Sequence, residues 1–277
     1  MTTFENRTFG VEFEGYNVPM SVLERKLRAA GINAGQSYYS DRNTNYWRIK
    51  PDGSLRGNNP FEVVSPILQG EAGLAEMKTV LDVCLAAGAE VNVSCGFHVH
   101  WGVADWDMEN FRNLAARYVK FERVMDWLMP PSRRENNQYY CQGWVTDPNY
   151  KVSTQKMWNK AKSKKTIKAI QKMLGHGRYY KLNLSAFWSH QTVEFRQHSG
   201  TFDYTKAEAW VRLTGAMVAQ SSNRDRLQNW RTGEEDKRTA LDILIKPMVS
   251  AGYLPKTIAR IYKKRLAHWM EKAGVTS

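Results

Sequence analysis

Cysteine is scarce in this sequence, and long apolar runs are missing. Only Cys84, Cys95 and Cys141 occur among 277 residues, too few and too scattered for a disulfide framework, and no CxxC pair indicates a structural zinc site. Nowhere do about eighteen apolar residues run together without charge, and the polar N-terminus has no apolar signal region. We therefore expect a cytoplasmic protein with reduced thiols and no membrane partner.

Internal repeats and low-complexity segments are also absent, whereas aromatic residues and positive charge are plentiful. The chain is 42% hydrophobic and 12% aromatic, so it can bury enough surface to offset the entropy of folding. Its net charge of +13 attracts anions such as nucleotides, acidic peptides, nucleic acid or anionic lipid. Much of the excess lies at 151–172 and 256–272, so charge alone does not define a site.

Several predicted strands carry polar chemistry on one face only. The alternating segments are 8–16, 94–101 and 192–198. If their apolar faces share a core under helices, their polar faces share the other surface of the sheet. The polar positions are Glu12, Glu14, His98, His100, Glu194 and Arg196. The sequence therefore predicts an α+β fold, with a mostly antiparallel sheet whose polar, concave face forms the active site and whose other face packs on helices.

Hairpins and helices complete the predicted fold. Segments 46–50 and 61–65 flank a turn at 51–54, and segments 179–187 and 192–198 are expected to pair around a turn near 189–191. Helical spacing and capping signals predict helices near 21–30, 71–87, 107–128, 153–174, 204–222, 234–251 and 256–273. We expect a catalytic core at 1–203 with a basic loop and helix inserted around 131–174. A helical extension at 204–277 would pack on that core.

Paired side chains on one strand face admit two interpretations. Glu12 and Glu14 project to the same side roughly 6–7 Å apart and repel each other unless solvent or a cation separates them. They are either a solvated outer face or half of a cation site. His98 and His100 share this geometry, and imidazole suits a metal ion or a phosphate.

Three further acidic residues and one arginine also have two interpretations, as ordinary surface or ion-paired residues or as parts of a cation and phosphate site. Glu194 and Arg196 form either an ordinary ion pair or a metal ligand beside a phosphate-binding fork. The second arrangement suits a nucleotide site, because Mg²⁺ takes oxygen ligands and often bridges to phosphates. Asp52 and Glu62 flank a glycine-containing loop and are either turn or surface acids or further ligands.

Five motifs follow one another in a fixed order. They are FGVEFE at 9–14, DGSL at 52–55 with EVVSP at 62–66, CGFHVH at 95–100, RYYKLN at 178–183 and EFRQHSGT at 194–201. Together they resemble the amidoligase family, carboxylate-amine ligases related to glutamine synthetase and glutamate-cysteine ligase. The resemblance implies a glutamine-synthetase-like catalytic core that uses ATP and Mg²⁺ or Mn²⁺. It implies that ATP phosphorylates a carboxylate and that an amine then displaces the phosphate to leave an amide or isopeptide bond.

The resemblance also implies roles for individual residues. Glu12, His98 and Glu194 would hold a metal ion near the transferred phosphate. Glu14 and Glu62, aided by Asp52, would hold another. The residues implied to bind the nucleotide are His100, Arg178, Lys181 and Arg196, and all of these except Lys181 are also implied in catalysis.

The substrates and two other functions stay open at this point. The carboxylate and amine could belong to amino acids, peptides or polyamines, and neither they nor the oligomeric state follow from the motifs. A nucleic-acid-binding protein would use the two basic helices and show salt-dependent binding without ATP. A guanidino phosphotransferase on a related core would release a stable phosphorylated product. A scaffold without turnover is disfavoured, because the acidic and basic positions are intact.

Overall fold

The computed structural model describes residues 3–38, 45–143, 154–174, 177–227 and 236–275. Two compact units divide the chain. The sheet unit comprises 5–102 and 198–211, and the helical unit comprises 1–4, 103–197 and 212–277. Within the described ranges, every helix is too short or too polar to cross a bilayer. The predicted division into a core at 1–203 and an extension at 204–277 stays a prediction, and 144–153 of the predicted insert lies outside the described residues.

Antiparallel pairing dominates the sheet unit. Its strands are β1 (Thr8–Gly15), β2 (Ala34–Gln36), β3 (Trp47–Pro51), β4 (Phe61–Val64), β5 (Leu68–Gln69) and β6 (Gly96–Gly102). They follow the order β2-β3-β4-β1-β6, and β5 also pairs with β1. Only β2 and β3 run parallel among these pairs. The predicted mostly antiparallel sheet and the hairpin of β3 and β4 are confirmed.

Two helices accompany these strands, α1 (Met20–Ala29) and α2 (Gly70–Ala86). Both end where the sequence predicts, because Gly31 and Gly88 follow them with φ of 81° and 88°. Only glycine adopts this left-handed conformation without a steric penalty from Cβ. The two glycines thus set the ends of the helices that cover the sheet.

The apolar face of the sheet packs against α2. Phe9, Val11 and Phe13 of β1 are at most 2% exposed. Trp47 of β3 is fully buried, and its Nε1 donates a hydrogen bond to Oε1 of Glu76 in α2 at 2.6 Å. The side chains of β1 that alternate with these apolar residues therefore face the other surface of the sheet, as the sequence pattern predicts.

The remaining elements lie wholly or partly in the helical unit. They are α3 (Met108–Trp127), α4 (Thr154–Lys162), α5 (Ile167–Leu174), β7 (Leu182–Asn183), α6 (Ala186–His190), β8 (Thr192–Ser199), α7 (Tyr204–Ser222), α8 (Lys237–Ser250) and α9 (Lys256–Lys272). The unit boundary falls within β8 and within α7. Asp107 caps α3 by accepting hydrogen bonds from the backbone N–H groups of Glu109 and Asn110.

The strand predicted at 179–187 is wrong for most of its length. Only Leu182–Asn183 is a strand, and Ala186–His190 is the helix α6. Asn183 accepts a hydrogen bond from the backbone N–H of Ser185 through Oδ1 at 2.8 Å, which turns the chain away from the sheet. This local bond competes with strand pairing and is not visible in the alternation of the sequence.

The single basic helix predicted at 153–174 is also wrong, because α4 and α5 are separate. Ser163 Oγ donates to the carbonyl of Lys160 at 2.8 Å, and Thr166 Oγ1 accepts from the N–H of Ala169 at 3.1 Å. The first bond occupies a carbonyl at the end of α4, and the second caps the start of α5. Two hydroxyl side chains thus interrupt a segment whose composition alone favours one helix.

Helix α2 lies so close to the sheet at Gly73 that we expect this position not to tolerate a larger side chain. A Cβ added at Gly73 would lie 2.8 Å from Leu68 Cβ and 3.2 Å from the Phe9 ring. Gly73→Ala should lower the free energy of unfolding by roughly 1–3 kcal/mol in urea titration, because overpacking outweighs the gain in helix propensity. Gly53→Ala, which meets no atom within 4 Å, is the control and should be nearly neutral. An equally stable Gly73→Ala variant would contradict this packing.

Candidate functional site

Strand register places the predicted polar residues in rows across one face of the sheet unit. Residues that lie directly opposite each other in paired strands point to the same face. The first row consists of Lys50, Glu62 and Glu14. The second row consists of Arg48, Val64, Glu12 and His98. Carboxylates from β1 and β4 and an imidazole from β6 therefore occupy neighbouring positions.

His98 lies between two carboxylates. Its Nδ1 is 3.1 Å from Glu12 Oε2, and its Nε2 is 3.5 Å from Glu14 Oε1. His100 Nε2 is 3.3 Å from Glu12 Oε1. Both predicted histidines thus contact β1 carboxylates, and such contacts fix the orientation of an imidazole ring.

Glu14, Glu62 and His98 form a group that could hold a cation. Each offers one ligand atom, and these atoms lie within 4.8 Å of one another. The backbone N–H of Gly96 donates to Glu14 Oε2 at 2.5 Å and fixes the orientation of that carboxylate. Two hard oxygen donors and one imidazole suit Mg²⁺ or Mn²⁺ in combination with further oxygen ligands. We call these three residues the acidic cluster.

The carboxyl groups of Glu12 and Glu62 on this face differ in their electrostatics. Burial raises the pKa of Glu12, but hydrogen bonds and charge from His100 and His98 outweigh it and hold that pKa well below its usual range. Burial raises the pKa of Glu62 well above its usual value, and the negative charges of Glu12 and Glu14 raise it further. The face thus carries more negative charge than its surroundings neutralise, which is the condition that a bound cation relieves.

Asp52 occupies a turn beside this face. Its Oδ1 accepts from the N–H of Ser54 at 2.8 Å and from Ser54 Oγ at 2.7 Å. Within the part of the chain that the structure describes, the ligand groups of the sheet unit do not include Asp52. Its charge nevertheless contributes to the raised pKa of Glu62. Its predicted help in binding a metal stays a prediction.

Two cationic residues on this face were missed by sequence reasoning. Lys50 lies directly opposite Glu62, and its charge lowers the pKa of that carboxyl. Arg48 lies in the row of Glu12 and is 7% exposed. Both follow from the register of β3 against β4, which the alternation of a single strand does not give. A cation at the end of each row limits how many negative charges the face must tolerate.

Glu194 and Arg196 lie together on β8. Glu194 Oε1 accepts from Arg196 Nη1 at 2.5 Å, and its Oε2 accepts from Asn183 Nδ2 at 2.6 Å. Arg196 Nε also donates to the carbonyl of Tyr140 at 3.3 Å. The ion pair is therefore present, and each carboxylate oxygen keeps lone pairs for another partner. The predicted metal and phosphate roles of these residues stay predictions.

Lys181 is fully buried in the helical unit. Its Nζ lies 2.5 Å from Asp126 Oδ1 and 3.5 Å from Glu122 Oε1. Burial alone lowers the pKa of Lys181, but the two carboxylates outweigh it and raise that pKa above its usual value. Gln197 Nε2 also donates to Asp126 Oδ1 at 2.6 Å. The ammonium group therefore stabilises a buried polar network, and its predicted contact with the nucleotide is untested.

Arg178 is exposed and rests on an aromatic ring. Its guanidinium carbon lies 5.2 Å from the centroid of the Tyr179 ring. Its Nη2 lies 3.3 Å from the Tyr179 hydroxyl. The side chain is accessible to an anion, as its predicted role in phosphate binding requires.

The sheet of this α+β chain presents carboxylates and imidazoles on one face, in groups that could hold a metal ion. A family model described as "Putative amidoligase enzyme" matches residues 5–218, and the chain belongs to this amidoligase family. A solved structure described as "Crystal structure of novel glutamine synthase homolog" is similar, with 13% sequence identity and a TM-score of 0.45, over 98% of this chain and 68% of that chain. No curated protein matches the chain.

The raised pKa of Glu62 predicts a pH-dependent stability. The folded state binds the Glu62 proton more tightly than the unfolded state, so this group lowers stability progressively as the pH rises from about 4.5 toward the folded pKa. Wild type should therefore lose stability relative to Glu62→Gln over this range in urea titrations. Saturating Mg²⁺ should offset the loss in wild type by binding the folded state. If the difference in stability between wild type and Glu62→Gln did not change with pH, the raised pKa of Glu62 would be contradicted.

Because Lys181 is buried beside two carboxylates, we expect its replacement to destabilise the fold. Loss of a nucleotide contact alone would not have this effect. Lys181→Met leaves Asp126 and Glu122 buried without their cation, so the free energy of unfolding should fall by roughly 3–5 kcal/mol. Lys160→Met on the exposed surface of α4 is the control and should change it by less than about 0.5 kcal/mol. Equal stability of the two variants in urea titration would show that the network does not depend on Lys181.

Proposed function

We propose that this amidoligase joins a carboxylate to an amine in a reaction that consumes ATP and requires Mg²⁺ or Mn²⁺. Family membership supports a ligase-type enzyme, and the acidic cluster supports the metal requirement. The observation that carries the proposal is the convergence of Glu14, Glu62 and His98 within 4.8 Å on one sheet face. An acyl phosphate would be the activated form of the carboxylate, because a free carboxylate is a poor electrophile.

The residues of the sheet face would bind the cation and hold it in position. Glu14 is oriented by the N–H of Gly96, and Glu12 stays ionised beside His98 and His100. A divalent ion bound there would stabilise negative charge on phosphoryl oxygens. Glu12 can either bind the ion directly or orient His98 from behind, since it contacts the Nδ1 of that ring.

The arginines and His100 would bind the phosphate groups. Arg178 is exposed, and Arg196 is held in place by Glu194 and by the carbonyl of Tyr140. A planar guanidinium donates two parallel hydrogen bonds to phosphate, which favours in-line transfer by fixing the orientation of the group. The resemblance assigns Glu194 to the metal. In our proposal it both orients Arg196 and donates an oxygen ligand.

A guanidino phosphotransferase is less well supported than a ligase. We would expect a guanidino phosphotransferase on this core to have a reactive thiol. All three cysteines are buried, burial raises the pKa of Cys84 to about 12, and burial also raises the pKa of Cys141. Neither of these two thiols is poised as a thiolate at neutral pH.

Nucleic-acid binding remains the other alternative, and the basic helices do not require it. The lysines of α9 alternate with buried apolar residues such as Tyr262 and Leu266, so this helix packs on one face and is solvated on the other. Strong binding of nucleic acid that falls steeply with salt and needs no ATP would favour that function. An ATP-dependent product would favour the ligase.

The proposed site predicts which substitutions abolish turnover. Glu12→Gln, His98→Ala and Glu194→Gln should each reduce Mg²⁺-dependent ATP consumption by at least roughly 10–100-fold, the loss that even outer partners of metal ligands cause. Phosphate release is measured with amino acids, polyamines and peptides as substrates, and mass spectrometry identifies an amide. Glu271→Gln on the exposed side of α9 is the matched control. Turnover at the wild-type rate in all three variants would contradict the proposed site. A stable phosphorylated product would show that the enzyme is a phosphotransferase and not a ligase.

A further inference from the structure

Three tyrosines form an exposed aromatic surface in the helical unit that the proposed chemistry does not use. We call Tyr139, Tyr140 and Tyr179 the tyrosine cluster. Their ring centroids lie 5.1 to 5.4 Å apart. Tyr139 is 64% exposed and Tyr140 is 38% exposed. Three mutually contacting aromatic rings at the surface are not explained by core packing, and such patches commonly mark binding sites.

Two arginines contact residues of the tyrosine cluster. Arg178 stacks on Tyr179 with its guanidinium carbon 5.2 Å from the ring centroid. Arg196 is joined to the cluster through its hydrogen bond to the carbonyl of Tyr140 at 3.3 Å. A ligand with a flat aromatic part and an anionic part matches both the rings and the arginines.

We propose that the tyrosine cluster binds the base of a nucleotide whose phosphates contact Arg178 and Arg196. The inference rests on the proposed function and adds to it the subsite that distinguishes a nucleotide from a free polyphosphate. Every nucleobase has a π face, and stacking of a base on an aromatic side chain tolerates different bases. Tyr139 is the most exposed ring and therefore the first candidate for stacking.

The position of the cluster in the chain supports one shared site. The guanidinium of Arg178 lies against the ring of Tyr179, so one ligand can contact both groups. Tyr140 is tied through its backbone to the side chain of Arg196 on β8. Movement of the loop that carries Tyr139 and Tyr140 would therefore disturb Arg196 as well. Base and phosphate recognition would be coupled by contacts within the helical unit.

The test compares equilibrium binding of ATP with binding of inorganic tripolyphosphate, both with Mg²⁺. Loss of stacking should weaken ATP binding by on the order of 10- to 100-fold in a variant with Tyr139→Ala and Tyr140→Ala, while tripolyphosphate affinity stays unchanged. Tyr139→Ala alone should show part of the effect, and Tyr139→Phe should retain ATP affinity because the ring is kept. Tyr38→Ala, at a tyrosine that is 81% exposed, is the matched control and should bind both ligands like wild type.

Three results would overturn the base subsite. ATP affinity could remain at the wild-type value in the variants, or ATP and tripolyphosphate affinity could fall together, or the variants could change only the oligomeric state. The last result would assign the cluster to contact between copies of the chain. Selective loss of ATP affinity supports the subsite even if no amide product is ever found, so the failure of the ligase reaction is distinguishable from the failure of this inference.

Discussion

Repulsion between carboxylates on one face of a sheet is the constraint on which the site depends. Glu12 and Glu14 share a strand face, and register adds Glu62 to the same surface. The hydrogen bonds and charges of His100 and His98 hold the pKa of Glu12 low, whereas burial and the nearby charges of Glu12 and Glu14 raise the pKa of Glu62. Repulsion between these carboxylates lowers the stability of the folded state. A divalent cation bound at this face would relieve the repulsion, and cation binding is the use that we propose for the face.

Alternation in sequence was sufficient to predict the two-faced sheet, because the side-chain period of a strand leaves no other arrangement for β1 and β6. It also predicted which side of each strand carries Glu12, Glu14, His98 and His100. It could not predict Arg48 and Lys50 as neighbours of the acidic residues. Their place depends on the pairing of β3 with β4, a non-local contact that alternation within one strand does not encode.

Local hydrogen bonds explain the elements that sequence reasoning missed. Asn183 turns the chain after β7 by accepting from the N–H of Ser185, and Thr166 begins a separate helix. Lys181 belongs by alternation to the polar face of a strand, yet it is buried with Asp126 and Glu122 from α3. Burial of a lysine becomes predictable only when its carboxylate partners on another element are known.

A crystal structure with Mn²⁺ and a non-hydrolysable ATP analogue would show whether the carboxylates of this face bind a divalent cation. Anomalous scattering at the manganese edge locates the ion independently of any assumed activity. We expect an anomalous peak coordinated by oxygens of Glu14 and Glu62 and by a nitrogen of His98. A fully bound nucleotide with no manganese at these three residues would contradict it.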